Sequence, residues 1–268
     1  MEHKVKRDAC ERAWAHSKHP QKRVETEKTG REDCEISHDF SIDIQVPTCY
    51  NVMCIIGKGG RSVNEIRLLG KKVIVDKSPV LLDYKVGPDW LDYWEPKNGA
   101  WECDGEYLIG YERASWYAIL FSRERYEDNV MFSFTIKAEP PATRDLNAVL
   151  CANWNDDKDE LGESYVCGLN GWYEHKSGIE RNGSSNLYST TSLYKYETGK
   201  EVRMTFGCID GQSFMVVDDE LITELVDPQP IKGGHVGFSA YCTKLKIKDI
   251  VVRKIYWEEF PQEYDPEF

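Results

Sequence analysis

The chain has 268 residues, 41% of them hydrophobic and 12% aromatic, which is ample for one sizeable core in a single all-β domain. Its formal charge of −12 argues against nucleic acid, whose phosphates need a basic surface to release counterions, and against an anionic membrane surface. The same balance is compatible with neutral sugars, cations or basic partners and selects none of them.

Residues 1–37 are rich in Lys, Arg, Glu and His and show hardly any apolar periodicity, so they read as a mobile charged tail. The opening MEHKVKRDACERAWAHSKHPQKR has no apolar run of the signal-peptide kind, and no later stretch reaches the length of a membrane span. Nine cysteines, an odd number without a CxxC pair, then predict reduced thiols and a cytoplasmic location. His38, Cys49 and Cys54 match no familiar zinc spacing, and the two cysteines read as buried free thiols, so no metal is expected there.

Residues 38–78 form a short β-rich segment, with FSIDIQV, VMCIIGKGG and KKVIVDKSP as its apolar runs. Gly57-Lys58-Gly59-Gly60, with Asp76 downstream, has the outline of a dinucleotide fingerprint. The third glycine position holds Ser62, SVNEIRLLG is too short for a crossover helix, and no second βαβ unit follows. A glycine-rich turn between strands is the preferred reading, and no cofactor is expected.

From 79 to 258 the β signals accumulate. VMFSFTIKA alternates Phe132, Phe134 and Ile136 with Ser133, Thr135 and Lys137; EVRMTFGC puts Val202, Met204, Phe206 and Cys208 on one side. SFMVVDDELITEL predicts two strands around an Asp218-Asp219 turn, and HVGFSAY and KLKIKDIVVRKI supply two more. Gly, Asn, Asp and Pro punctuate these runs at short intervals, as in a sandwich, and 259–268 is an acidic tail. The expected class is all-β.

WECDGEYLIG (101–110), WYAILFS (116–122) and FSFTIKA (132–138) resemble the opening of a concanavalin A-like jelly roll. The run from SFMVV to DIVVR resembles its closing part, with Gly234, Val236, Gly237 and Phe238 fitting a G-x-V-G-F pattern and Asp219 standing where glycine is commoner. DLNAVLCANW (145–154) and CGLNGWYEHKSGIERN (167–182) are similar to the uncharacterised YesU-like family, a domain of unknown function. The resemblance covers roughly residues 80–255 and implies a two-sheet antiparallel jelly-roll sandwich tied to the use of plant polysaccharides such as rhamnogalacturonan. It carries no catalytic set.

In a jelly roll the concave sheet commonly forms a groove for extended ligands. A pyranose packs its C–H face on Trp or Tyr, while Asn, Asp, Lys and Arg satisfy its hydroxyls. Asp145, Asn147 and Trp154 offer both chemistries in one stretch; Trp172, Tyr173, Glu174, Lys176, Glu180 and Arg181 offer them in another. Alternation puts Asp145 and Asn147 on one face, and Lys176 and Glu180 on one face with Arg181 opposite. Trp116 would floor the groove or pack between the sheets, and Glu180 and Arg181 would alternatively be surface ion pairs.

Hydrolysis would need two carboxyl groups, and Glu174 and Glu180 are the candidate pair. Glu102-Cys103-Asp104-Gly105-Glu106 has the E-x-D-x-E spacing of jelly-roll glucanases, but Asp104-Gly105 is a hairpin turn signal that would destroy the common orientation. Asn153 to Glu160 crowds oxygen ligands suited to calcium without the EF-hand offsets, and a solvated acidic loop is preferred. The expected ligand is thus an oligosaccharide bound by a lectin-like protein, with an intracellular glycoside hydrolase or lyase, or an interaction scaffold, as alternatives.

Overall fold

The computed structural model describes residues 64–112, 117–127, 129–172, 175–183 and 187–261. The chain divides into two units, Met1–Arg61 and Ser62–Phe268, and every described residue belongs to the second.

With strands numbered in chain order, one sheet contains β4 (Trp94–Asn98), β7 (Tyr117–Ser122), β9 (Leu146–Ala152), β12 (Ser164–Leu169), β13 (Ser177–Asn182), β14 (Tyr188–Thr191) and β18 (His235–Tyr241). Hydrogen bonding orders them β14-β13-β12-β9-β18-β7-β4. The other contains β5 (Ala100–Cys103), β6 (Leu108–Tyr111), β8 (Val130–Ala138), β15 (Val202–Ile209), β16 (Gln212–Val217), β17 (Glu220–Val226) and β19 (Lys244–Lys254), with β3 (Val80–Tyr84) also on β19. The order here is β17-β16-β15-β8-β19-β6-β5. All these pairings are antiparallel, so the chain is the expected two-sheet jelly-roll sandwich.

Strand alternation builds the core. Phe132, Phe134 and Ile136 of β8 and Val202, Met204, Phe206 and Cys208 of β15 point inward to meet Leu146, Ala148, Leu150 and Phe238 of the facing sheet. Phe238 is the hub: its ring stands edge-on to Phe134 at 4.9 Å and 89°, and lies 5.8 Å from Phe132 and 5.7 Å from Trp94. The G-x-V-G-F pattern has a steric reason. Val236 and Phe238 fill the core, while any side chain on Gly237 would run into the Leu120 carbonyl of the neighbouring strand.

The turns follow their local chemistry. Asp218 and Asp219 both adopt left-handed backbone, φ 47° and 72°, as a two-residue hairpin loop of this hand requires. Asp104 caps the β5–β6 turn, its Oδ1 accepting the Glu106 and Tyr107 amides at 2.9 and 2.7 Å. That carboxylate is therefore committed to its own turn, and the E-x-D-x-E spacing does not build a cleft.

Residues 65–74 join the same fold. SVNEIRLLG holds a strand, β1 (Glu65–Leu68), instead of a helix; it pairs with β2 (Lys71–Ile74), which pairs with β20 (Trp257–Glu259). Gly57–Gly60 lie outside the described residues. Ile66, Leu68 and Val73 pack this small sheet on Met131, Ile209, Phe214 and Val216, the outward side of the eight-stranded sheet. Cys103, Cys151, Cys167 and Cys208 are free thiols.

Candidate ligand-binding face

On the seven-stranded sheet, inward residues fill the core and register aligns the outward ones in rows. One row runs Thr190, Gly178, Gly168, Asn147, Ser239 and Ile119; the next runs Tyr188, Glu180, Val166, Val149, Gly237 and Phe121. The two ends of these rows have different fates because of what covers them.

At the β7 end, the outward face is apolar and covered. Ile119, Phe121, Val149 and Ala152 form a second cluster, and a hairpin of β10 (Trp154–Asn155) and β11 (Glu160–Leu161) folds over it. Trp154 stands edge-on to Phe121 at 6.2 Å and is half-buried. The hairpin also borders a crevice of about 430 Å³ lined by Trp154, Asn155, Asp156, Asp157 and Glu163. No group of three or more acidic, His or Cys side chains suited to a metal converges among the described residues.

Asp145 and Asn147 share the outward side, as alternation requires, yet both are buried. The segment after β12 lies over them: a methyl group on Gly171 would stand 3.1 Å from Asn147 Oδ1 and 3.4 Å from Asp145 Oδ1. Arg144 donates to Asp145 at 2.6 Å, and Asn147 fills the space that a side chain on Gly168 would need. The Asn170 side-chain amide donates to the Thr143 carbonyl, and the Trp172 amide to the Lys176 carbonyl at 3.1 Å, closing the 170–176 loop on this polar base. Tyr241 is also nearby; burial, then the Asp145 charge, raises its phenol above the usual value. Trp172 and Lys176 are half-buried on the loop, and Tyr173, Glu174 and Trp116 lie outside the described residues.

Arg181 turns the other way. Its guanidinium is 9% exposed and sits 3.1 Å from Asp227, itself 1% exposed, and 3.1 Å from Glu163. Asp227 also accepts the Tyr165 hydroxyl at 2.8 Å. This pair ties β13 to the segment after β17, so it is a buried link and not the weak surface contact considered above.

The open part of the face lies on β12–β14. Glu180 is half-exposed and stands directly across from Tyr188, whose side chain is 61% exposed. Beside them, Gly168 and Gly178 pair across β12 and β13 and are both buried, Asn147 filling the space over Gly168 and Thr190 closing on Gly178. A side chain on Gly178 would press on the β14 backbone, so glycine is required there. Sequence reading missed Tyr188 because only its register with Glu180 brings it to this face.

No family model matches the chain, and no curated protein matches it. Among solved structures, a Bacillus subtilis protein of unknown function with a galectin-like fold is similar at 12% identity, covering 67% of this chain and 98% of that one, with a TM-score of 0.55. The carbohydrate-binding module CBM66 from Bacillus subtilis is similar at 13% identity, covering 60% and 94%, with a TM-score of 0.47. The exoplasmic/lumenal domain of VIP36, in a Ca2+/Man3GlcNAc-bound form, is similar at 11% identity, covering 66% and 87%, with a TM-score of 0.46. The first of these likenesses shows a galectin-like fold.

Proposed function

We propose that this protein recognises carbohydrate on the outward face of β12–β14, with oligosaccharides from plant polysaccharides as its ligands. Tyr188 carries the reading: an aromatic ring left exposed directly across from a carboxylate. The ring offers a face to a pyranose, and Glu180 accepts its hydroxyls. Trp172 and Lys176 extend the face along the loop after β12, which Asp145 and Asn147 support from beneath, and Tyr173 belongs to the proposal by sequence position. Trp154 adjoins it beside Val166, Arg181 holds β13 from the core side, and Trp116 belongs to the proposal by sequence position. The YesU-like resemblance motivates rhamnogalacturonan fragments as the first ligands to try.

Hydrolysis at this face is the second reading, favoured by Glu180 lying directly opposite Tyr188; Glu174 would be its partner. The test is a thermal-shift and calorimetric titration against rhamnogalacturonan oligosaccharides, with and without calcium, followed by product analysis. Tyr188→Ala is expected to weaken binding about tenfold with an unchanged thermal midpoint, since the side chain contributes little to the core. If binding survives this substitution intact, the ligand sits elsewhere. New reducing ends or unsaturated products that disappear in Glu180→Gln would establish the catalytic reading. No shift across the panel would favour the scaffold.

A further inference from the structure

At the end of the sandwich where β7 hands over to β8, a cavity of about 580 Å³ opens between the 123–127 connection, β3 and a short helix, α1 (Trp90–Tyr93). That volume lies within the range of small-molecule sites, about 300–1,000 Å³. The buried Tyr126 and Val130 line it together with Leu81, Leu82 and Tyr93, which gives it apolar and aromatic walls. Its frame is tied in place. The Arg123 amide donates to the Tyr93 carbonyl at 2.8 Å and the Arg123 Nε to the Leu91 carbonyl at 2.6 Å. Tyr126 and Gly234 exchange backbone hydrogen bonds at 2.9 and 3.0 Å, and the Tyr93 ring lies 4.8 Å from that of Tyr84, a core residue. The strip carrying Tyr188 is elsewhere: β14 forms one edge of the seven-stranded sheet, and β7 is next to the other edge.

Of the buried polar side chains in this lining, Ser122 donates to the Glu124 carbonyl at 2.7 Å. The Tyr126 hydroxyl, on a residue 7% exposed, makes no hydrogen bond among the described residues. Burial, then the Glu124 charge, raises this phenol to about 12, so at neutral pH it is protonated and able to donate. The rim holds three cations, Arg123, Arg125 and Lys254, against three carboxylates, Asp92, Glu124 and Glu127. A ligand of either charge meets as many like as opposite charges there, whereas hydroxyl groups, which donate and accept, are served by both signs. We propose that this cavity is a second binding site, for a neutral saccharide unit, with the Tyr126 hydroxyl donating to a ligand oxygen and the Tyr93 ring packing on a C–H face. The carboxylates of Asp92 and Glu124, which form no ion pair among the described residues, accept the ligand hydroxyls. Nothing in this site depends on Tyr188, and one chain then holds two saccharide segments on opposite sides of the same sandwich.

The test is amide chemical-shift mapping of the full chain, titrated at millimolar concentration with methyl rhamnoside, methyl galactoside and methyl mannoside. Galacturonate and ethanolamine serve as the charged comparisons. The expected result is a shift at Arg123, Tyr126 and Val130 with a neutral glycoside, a weaker one with either charged probe, and the same pattern in Tyr188→Ala. Tyr126→Phe keeps the ring and removes only the unpaired hydroxyl, so it should weaken that binding about fivefold with the thermal midpoint unchanged or raised. A merely structural hydroxyl would lower the midpoint and spare the affinity. Glu124→Gln, at the exposed rim, should weaken binding as well and decides the matter if Tyr126→Phe folds poorly. The proposal is overturned by absence of a cavity shift with all three neutral glycosides, by stronger binding of a charged probe, or by unchanged affinity in both variants. Shifts confined to β12–β14 would overturn it and leave the Tyr188 reading standing; shifts at the cavity alone would support it and remove that reading.

Discussion

Asn147 occupies the volume that every amino acid except glycine would claim at position 168. Gly168→Ala therefore forces Asn147 off the base of the 170–176 loop, and an overpacked site of this kind costs about 1–3 kcal/mol. Urea unfolding should show that loss, together with faster proteolysis in the loop. Asp227→Ala leaves the buried Arg181 guanidinium facing an empty partner and should cost about 3–5 kcal/mol, read in the same experiment.

His235 gives a pH-dependent signature at this scale. Its ring stacks on Phe121 at 5.3 Å, its Nδ1 lies 2.7 Å from the Ser122 carbonyl, and burial holds its pKa below the usual value. The unfolded chain takes up the proton near the ordinary histidine value of about 6.5, while the folded chain does so at lower pH. Stability should therefore fall as pH drops from about 6.5 through the depressed folded value. His235→Phe should flatten that part of the profile in thermal scans from pH 7 to 5.

At the scale of elements, alternation made the strands and the inward faces legible. Phe132, Phe134, Val202, Met204 and Phe206 all point where period-two reading sends them. The Asp218-Asp219 and Asp104-Gly105 turns were legible for the same reason, since their chemistry is local. What alternation does not reveal is which outward residues some distant segment later covers. Asp145 and Asn147 share a face as expected, yet Gly171 closes over them; β2 finds β20 nearly the whole chain away. Tyr188 reached the site through pairing with Glu180, and Cys151 broke parity through one left-handed residue.

The eight-stranded sheet has its own electrostatic element. Lys137 and Lys248 donate to the Tyr107 hydroxyl at 3.2 and 2.9 Å, and Tyr107 donates to Glu201. That hydrogen bond, then those from Lys137 and Lys248, hold Glu201 down at about 2. An unfolded glutamate titrates near 4.3, so this contribution is present above that value and is lost as pH falls toward about 2. Glu201→Gln should lower stability at neutral pH and flatten the acid limb of the unfolding curve.

On the scale of the whole molecule, each sheet has one face in the shared core, and the two outward faces differ in what remains open. The small β1–β2–β20 sheet and the lysine–glutamate lattice occupy much of the eight-stranded face. The Trp154 hairpin takes one end of the seven-stranded face, and β12–β14 keeps Tyr188 and Glu180 accessible. The proposed recognition face is that strip, chosen by coverage as much as by composition. The most direct measurement is hydroxyl-radical footprinting of the full chain with and without saturating rhamnogalacturonan oligosaccharides. The account predicts protection of Tyr188 and Trp172, with Tyr256, 42% exposed near the small sheet, unchanged as the internal control. Protection confined to Tyr256 or to the lysine face, with Tyr188 equally reactive in both states, would contradict it.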